Sequence, residues 1–232
     1  MERMTPNPSP YAALTFDCYG TLIDWRCGLL GSVARIPALR GAGFDEERFL
    51  ADREAAELRI EAESYRPYRD VVASSVREAL VLQGRSVSAG EAAQVATGIG
   101  EWEPFPDVPA ALAVLGRKWR LAILSNVERR DLDRSVARLG VPFDALVTAD
   151  EVRSYKPGSA HFGTGLERLG LPASRVLHIA QSVRHDLVPA AALGIPTVWV
   201  NRLGEPIPEG VPFLFSAPDL ATVAARLTAG KV

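Results

Sequence analysis

Between residues 120 and 230 the sequence alternates short apolar runs with amphipathic segments, and this alternation constrains the fold more than any other feature. The apolar runs lie at 120–126, 145–150, 175–181 and 195–201, and the amphipathic segments at 127–140, 157–170, 185–194 and 217–230. Runs of this kind predict strands buried on both faces, and the segments between them predict helices. Strands that alternate with helices form a parallel sheet with right-handed crossovers. The sequence therefore predicts a doubly wound α/β fold.

The part of the chain before residue 100 has a different pattern. An apolar run, Tyr11–Phe16, predicts the first strand of the same sheet. After it, helical periodicity occurs at 46–65, 68–84 and 88–100, and β-branched extended runs are missing. We therefore expect a Rossmann-like core made of residues 1–23 and 101–232, with residues 24–100 inserted as a helical segment.

Composition and charge exclude several classes of protein. The 232 residues are 47% apolar and 23% charged, which is typical of a globular protein. A net charge of −2 without long runs of one sign argues against partners such as nucleic acid or an anionic membrane. Cys18 and Cys27 are too few for a disulfide framework or a metal cluster. The N-terminal MERMTPNPSP lacks the apolar segment of a signal peptide, so we predict a cytoplasmic protein with a frayed N terminus.

Polar residues follow four of the predicted strands. They are Asp17, Thr21, Ser125, Asn126, Lys156 and Asp186. Because the carboxyl ends of parallel strands share one edge of the sheet, where ligands bind, these residues are expected to meet in one pocket. The first five also have structural explanations: Asp17 and Thr21 suit a turn, Ser125 and Asn126 could cap the following helix, and Lys156 suits the surface. Their shared position after strands favours the pocket.

These residues lie in four short motifs: DCYGTL at 17–22, LSN at 124–126, YKP at 155–157 and AQSVRHD at 180–186. In order and spacing the motifs resemble the signature of the haloacid dehalogenase superfamily, whose helical cap would correspond to residues 24–100. The resemblance implies that Asp17 is the catalytic nucleophile, that Lys156 keeps it anionic, and that Asp186 activates water. It also implies that Ser125 assists catalysis and that Tyr19, Thr21 and Asn126 bind substrate.

A tyrosine, Tyr19, stands where phosphatases of this superfamily usually carry a second aspartate, which protonates the leaving group. Tyrosine has an ordinary pKa near ~10 and is a poor acid at neutral pH. Halide leaves without a proton. The form DxYGT resembles the type II, L-2-haloacid dehalogenase branch, which implies that Asp17 displaces halide, forms an aspartyl ester and is released by water. The alternative for Tyr19 is an aromatic packed under the cap.

The fourth motif adds a second departure from the phosphatases. They usually open it with an acid, whereas this chain has Gln181. We therefore expect no metal cofactor; the alternative is Mg²⁺ held by Asp17 and Asp186. Gln181 and His185 are candidate assisting residues, and the alternative for His185 is a helix N-terminal side chain that faces bulk water.

Enzymes of the type II branch clamp the substrate carboxylate with a cap arginine, which suits a bidentate contact. The corresponding position in this sequence favours Arg53, with Arg48 and Arg59 as rivals. The alternative is an arginine on a solvated helix face, paired with Glu54 and Glu57.

The preferred functional hypothesis is a hydrolytic dehalogenase of small 2-haloacids, with a small organic acid as its substrate. By resemblance a homodimer is expected. The alternatives are a phosphatase of small phosphomonoesters and a non-catalytic relative that keeps the fold. The presence of both Asp17 and Lys156 argues against the last, because a binding module needs no nucleophile–lysine pair.

Overall fold

A six-stranded parallel sheet forms the centre of the protein, in a computed structural model that describes residues 10–36 and 43–230. The strands are β1 (Ala13–Phe16), β2 (Arg120–Ser125), β3 (Ala145–Thr148), β4 (Val176–Ala180), β5 (Thr197–Val200) and β6 (Ser216–Ala217). The strands lie in the order β3-β2-β1-β4-β5-β6, so the chain adds β2 and β3 on one side of β1 and β4, β5 and β6 on the other. This order confirms the predicted doubly wound fold. The predicted frayed start lies outside the described residues.

Ten α-helices and three short turns surround the sheet in the described part of the chain. The α-helices are α1 (Trp25–Val33), α2 (Glu46–Glu61), α3 (Tyr68–Leu82), α4 (Ala89–Thr97), α5 (Val108–Leu115), α6 (Arg129–Leu139), α7 (Ala149–Val152), α8 (Ala160–Leu169), α9 (Val188–Ala192) and α10 (Leu220–Thr228). The short turns are 3₁₀-helices at Ile99–Glu101 and Ala173–Arg175 and a π-helix at Val183–Leu187. No helix described here is both long and apolar enough to cross a membrane.

Helices cover both faces of the sheet because successive strand residues point in opposite directions. Leu14 and Phe16 of β1 belong to a core that includes Leu112 of α5. Ala13, which precedes Leu14 and points to the opposite face of the sheet, belongs to a second core with Phe162 of α8. The two cores fix the register of β1, since a shift by one residue would exchange its two faces.

The helical insertion, α1–α4, lies between β1 and β2. Helices α2, α3 and α4 occupy the predicted helical segments and pack in sequence order, α2 on α3 and α3 on α4. The chain enters and leaves the insertion side by side: Asp24 N donates to the Glu103 carbonyl at 3.0 Å, and Phe105 N to the Leu22 carbonyl at 3.0 Å. The division into core and cap at the predicted bounds remains a prediction.

Several predicted boundaries were wrong. β3 ends at Thr148, and the two residues that follow open α7. Pro157 does not lie in the first turn of α8, because it sits in the turn before this helix, after a cis peptide bond from Lys156. Helix α6 begins at Arg129, so neither serine nor asparagine of the LSN motif caps it. The strand β6 was not predicted at all.

Candidate active site

A buried lysine joins two carboxylates at the carboxyl edge of the sheet. The Nζ of Lys156 donates to Asp17 Oδ1 at 2.9 Å, to Asp186 Oδ1 at 2.6 Å and to the Leu124 carbonyl at 2.9 Å. Lys156 is 1% exposed, Asp17 7% and Asp186 0%. Three acceptors satisfy the three protons of the ammonium, which is what a buried charge requires. Asp17, Lys156 and Asp186 are called the floor below.

The floor has strongly perturbed ionisation. Burial alone would lower the pKa of Lys156, but the two carboxylates outweigh burial and raise it above its ordinary value. Burial raises the pKa of Asp17, and contacts with Lys156 and Thr21 act against that rise. For Asp186 the contacts with Lys156 and His178 outweigh burial and lower the pKa to about 2. Lys156 is therefore an ammonium and Asp186 a carboxylate at neutral pH.

Thr21 holds the Asp17 carboxylate by a hydrogen bond and does not line the cavity. Its Oγ1 donates to Asp17 Oδ2 at 2.8 Å and accepts from Gln181 N at 2.9 Å, so it links the first and fourth motifs. The turn between Asp17 and Thr21 requires Gly20, which has φ +101° and where a side chain would crowd Gln181 and Trp25.

The LSN motif braces the lysine loop. Asn126 Oδ1 accepts from Lys156 N at 2.7 Å, and its Nδ2 donates to the Lys156 carbonyl at 3.2 Å. Ser125 Oγ accepts from Val127 N at 3.4 Å, and the Ser125 carbonyl lies 3.0 Å from His161 Nε2. Both motif residues line the cavity, so their structural contacts do not prevent them from meeting a ligand.

The hydroxyl of Tyr19 makes its hydrogen bond to helix α6. It lies 2.7 Å from Ser135 Oγ on α6, and the ring packs edge-on against Trp102. Burial raises the pKa of Tyr19 well above its ordinary value. Tyr19 therefore shapes the wall of the cavity and is unsuited to donate a proton at neutral pH.

A cavity of about 110 Å³ opens above the floor, between the sheet edge and the helical insertion. All site residues predicted from the sequence line this cavity except Thr21. The lining residues that were not predicted are Trp25, Glu54, Glu57, Glu61, Tyr68, Trp102, Val127 and Ser182.

Arg53 on α2 is the cap arginine that reaches the cavity. It is 3% exposed, and its Nη2 donates to Glu57 Oε1 at 2.5 Å. The alternative of a solvated helix face is wrong for Arg53, although the pairing with Glu57 is correct. The rivals Arg48 and Arg59 have side chains 58% and 55% exposed and do not line the cavity.

Glu61, one turn of α2 after Glu57, meets the core at the fourth motif. Its Oε1 accepts from Asn126 Nδ2 at 3.3 Å, and its Oε2 lies 3.5 Å from His185 Nε2. Burial lowers the pKa of His185, but the contact with Glu61 outweighs burial and raises it. The His185 side chain is 21% exposed and lines the cavity, so the alternative in which it faces bulk water is wrong. Arg53, Glu57 and Glu61 are called the α2 wall below.

The floor fits a divalent cation poorly. The alternative prediction places Mg²⁺ between Asp17 and Asp186, but the Lys156 ammonium already occupies the space between their Oδ1 atoms. Asp17 Oδ2 accepts from Thr21, and Gln181 offers a neutral amide where an acid would be needed. Mg²⁺ prefers octahedral oxygen ligation with one or two carboxylates, and the single remaining Asp186 Oδ2 does not supply it.

Known proteins resemble this chain over most of its length. It is 28% identical over 216 residues to the (S)-2-haloacid dehalogenase of Pseudomonas sp. (strain YL), covering 92% of this chain and 90% of that enzyme. It is 28% identical over 197 residues to haloacetate dehalogenase H-2 of Moraxella sp. (strain B), covering 83% and 86%.

Solved structures agree with this fold. The L-2-haloacid dehalogenase from Xanthobacter autotrophicus with chloropropionic acid covalently bound has a TM-score of 0.79 at 22% identity, covering 94% of this chain and 98% of that chain. Residues 11–194 match the family of haloacid dehalogenase-like hydrolases, a range that contains the floor, the α2 wall and all four motifs. The chain is therefore a member of the haloacid dehalogenase-like hydrolases.

Proposed function

We propose that this protein is a hydrolytic dehalogenase of small 2-haloacids. The observation that carries the proposal is Tyr19, whose buried hydroxyl is engaged with Ser135 beside an otherwise intact nucleophile site. A leaving group that Asp17 displaces from the substrate would receive no proton from this position. Halide tolerates that, whereas an alkoxide does not.

In the first step the Asp17 carboxylate attacks the carbon that bears the halogen. The carbon–halogen bond breaks, halide leaves with the bonding electrons, and an ester forms between Asp17 and the acid. Lys156, held by two carboxylates, keeps Asp17 ionised before attack and offsets the charge that develops at the floor.

In the second step water adds to the carbonyl carbon of the Asp17 ester. Asp186 Oδ2 is buried, has no hydrogen-bond partner and belongs to a residue that lines the cavity, so it is the acceptor for this water and its proton. Collapse of the tetrahedral species restores the Asp17 carboxylate and releases a 2-hydroxyacid. The balance is one water consumed, one halide and one proton released.

Arg53 is the group proposed to meet the substrate carboxylate. Its Nη2 donates hydrogen bonds to Glu57 and Tyr68, but its Nε is buried and makes no hydrogen bond. The Nε edge of the guanidinium can therefore donate to a ligand. A desolvated carboxylate without such a partner would be costly. A homodimer and a cytoplasmic location remain predictions from the sequence.

Halide release from a panel of 2-haloacids, measured beside phosphate release from phosphomonoesters, tests the proposal. We expect halide release and no phosphate release. Asp17→Asn should abolish turnover while the circular dichroism spectrum is kept. In a single turnover in ¹⁸O-water the label should enter Asp17 and not the product. Label that enters the product directly in the first turnover would contradict the covalent route, and phosphate release alone would favour the phosphatase.

A further inference from the structure

The α2 wall presents three charged side chains to the cavity from one helical row. Arg53, Glu57 and Glu61 are spaced four residues apart, so they lie on the same side of α2. Arg53 is 3% and Glu57 8% exposed, and the Glu61 side chain is 6% exposed. Charged side chains this deeply buried need partners.

The cavity as a whole is acidic. Five carboxylates line it, against three groups that can carry positive charge. Each of those three already contacts a carboxylate: Arg53 contacts Glu57, Lys156 contacts both floor carboxylates, and His185 lies beside Glu61. A substrate that brings only a negative charge therefore adds to an existing excess, whereas a substrate that also carries a cation reduces it.

One carboxylate oxygen of the wall makes no hydrogen bond and has only a long ion-pair contact. Glu61 Oε2 is buried and has no hydrogen-bond partner, while Oε1 is used by Asn126. The nearest cationic group, His185 Nε2, lies 3.5 Å away and also makes no hydrogen bond. A buried acceptor left unpaired is destabilising, and a ligand that donates to it removes this cost.

The wall thus offers an open donor at Arg53 Nε and an open acceptor at Glu61 Oε2. We propose that the preferred substrate is a 2-haloacid that carries an ammonium group on the next carbon, with its carboxylate at Arg53 and its ammonium at Glu61. Glu61 is then a specificity-determining residue. This inference rests on the proposed dehalogenase function and adds the chemistry of the substrate side chain to it.

The test compares two substrates of nearly equal shape, racemic 3-amino-2-chloropropanoate and racemic 2-chlorobutanoate, in which an ammonium replaces a methyl group. For the wild-type protein we expect kcat/KM for halide release to favour the ammonium substrate by about tenfold or more, the range of a hydrogen bond to a charged group. Equal values, or a preference for 2-chlorobutanoate, would overturn the inference. Halide release from 2-chlorobutanoate alone would leave the proposed function standing.

Glu61→Gln keeps the shape and one side-chain oxygen, but it replaces the other oxygen with an NH2 group and removes the charge. It should reduce the preference ratio by about tenfold. The matched control is Glu47→Gln, also on α2, whose side chain is 84% exposed and pairs with Arg26 outside the cavity, and it should leave the ratio unchanged. If the ratio of kcat/KM for the two substrates is the same in Glu61→Gln and wild type, another residue recognises the ammonium, and the assignment to Glu61 is overturned.

A second measurement does not depend on turnover. The products of the two substrates, 3-amino-2-hydroxypropanoate and 2-hydroxybutanoate, should bind the wild-type protein with the same order of preference in calorimetry. Binding of the alkyl product with equal or greater affinity would contradict the inference. If neither chloroacid releases halide and neither product binds, the proposed function fails and the inference fails with it.

Discussion

The floor and the α2 wall are both buried and charged, but they differ in how their charges are compensated. In the floor the Lys156 ammonium donates three hydrogen bonds to protein acceptors, and two of these acceptors are the carboxylates of Asp17 and Asp186. In the wall the Arg53–Glu57 pair leaves Arg53 Nε without a hydrogen bond, and Glu61 Oε2 makes no hydrogen bond either, only an ion-pair contact with His185 at 3.5 Å. The floor is assembled by the protein alone, apart from the one oxygen proposed to hold water. We therefore propose that the floor carries out the chemistry and that the α2 wall selects the substrate.

The largest effect is expected from Lys156→Met, which removes the charge that holds the floor together. Two buried carboxylates would then face each other without a cation, and loss of one partner of a buried ion pair typically costs about 3–5 kcal/mol. We expect a fall of this size in the free energy of unfolding by urea and a loss of turnover of at least ~1000-fold. Lys118→Met, at an exposed position, is the control. Wild-type stability in Lys156→Met would refute the account of the floor.

A smaller effect is expected from Arg53→Ala in the wall. Loss of the carboxylate partner should lower kcat/KM for a 2-haloacid by about 100-fold, chiefly through KM, since a charged hydrogen bond contributes about 1.5–3 kcal/mol. Arg59→Ala, at the surface of the same helix, should change it less than about twofold. The double variant Arg53→Ala/Glu57→Ala removes the unpaired glutamate and separates lost binding from charge imbalance. Recovery of kcat/KM in the double variant would argue against Arg53 as the clamp.

The two regions should also respond to pH with opposite sign. Burial and Lys156 lower the pKa of His161, behind the floor, to about 4 from 6.5. The unfolded chain therefore binds more protons between these values, and the folded state loses about 2 kcal/mol as pH falls from about 6.5 to about 5. His161→Gln should flatten this part of the stability profile.

His185, in contact with the wall, has a raised pKa. Its contribution to the free energy of unfolding is therefore present at pH values below its ordinary pKa, and it is lost as the pH rises through the pKa of the folded state. His185→Asn should therefore reduce stability mainly at acidic pH. Urea unfolding at a series of pH values measures both variants. Profiles that shift in the same direction would remove this distinction between floor and wall.

The smallest effect is expected from chelation. Because the Lys156 ammonium lies between the two floor carboxylates, exhaustive treatment with EDTA should leave halide release within about 20% of the untreated rate. Loss of activity that Mg²⁺ restores would show that a cation displaces the ammonium and would move the assignment toward a phosphatase.

The contrast between floor and wall also explains what could be read from the sequence. Asp17, Lys156 and Asp186 follow strands, and the edge of a parallel sheet brings strand ends together whatever the loops do. The α2 wall depends on the packing of α2 against the core, which no strand pattern fixes. The position expected for a type II cap arginine indicated Arg53, but Glu57 and Glu61 had no signal beyond their four-residue spacing from it, and that spacing is equally typical of a solvated helix.

Errors in the predicted elements have similar causes. β6 was missed because two residues, Ser216–Ala217, give no periodicity to detect. Asp150 was assigned to β3 because an apolar run does not show where a strand turns into a helix. The short π-helix at Val183–Leu187 likewise has no pattern of its own, although it carries both His185 and Asp186.

The paired chain crossings at the base of the helical insertion have a consequence for evolution and engineering. Leu22–Asp24 and Glu103–Phe105 are hydrogen-bonded side by side, so the two ends of the segment between them are already adjacent. A foreign segment with equally close ends could replace α1–α4 at this junction without altering the order of the strands. The helical segment proposed to select the substrate can therefore be exchanged while the residues at the sheet edge are kept, which gives one scaffold a route to many substrates.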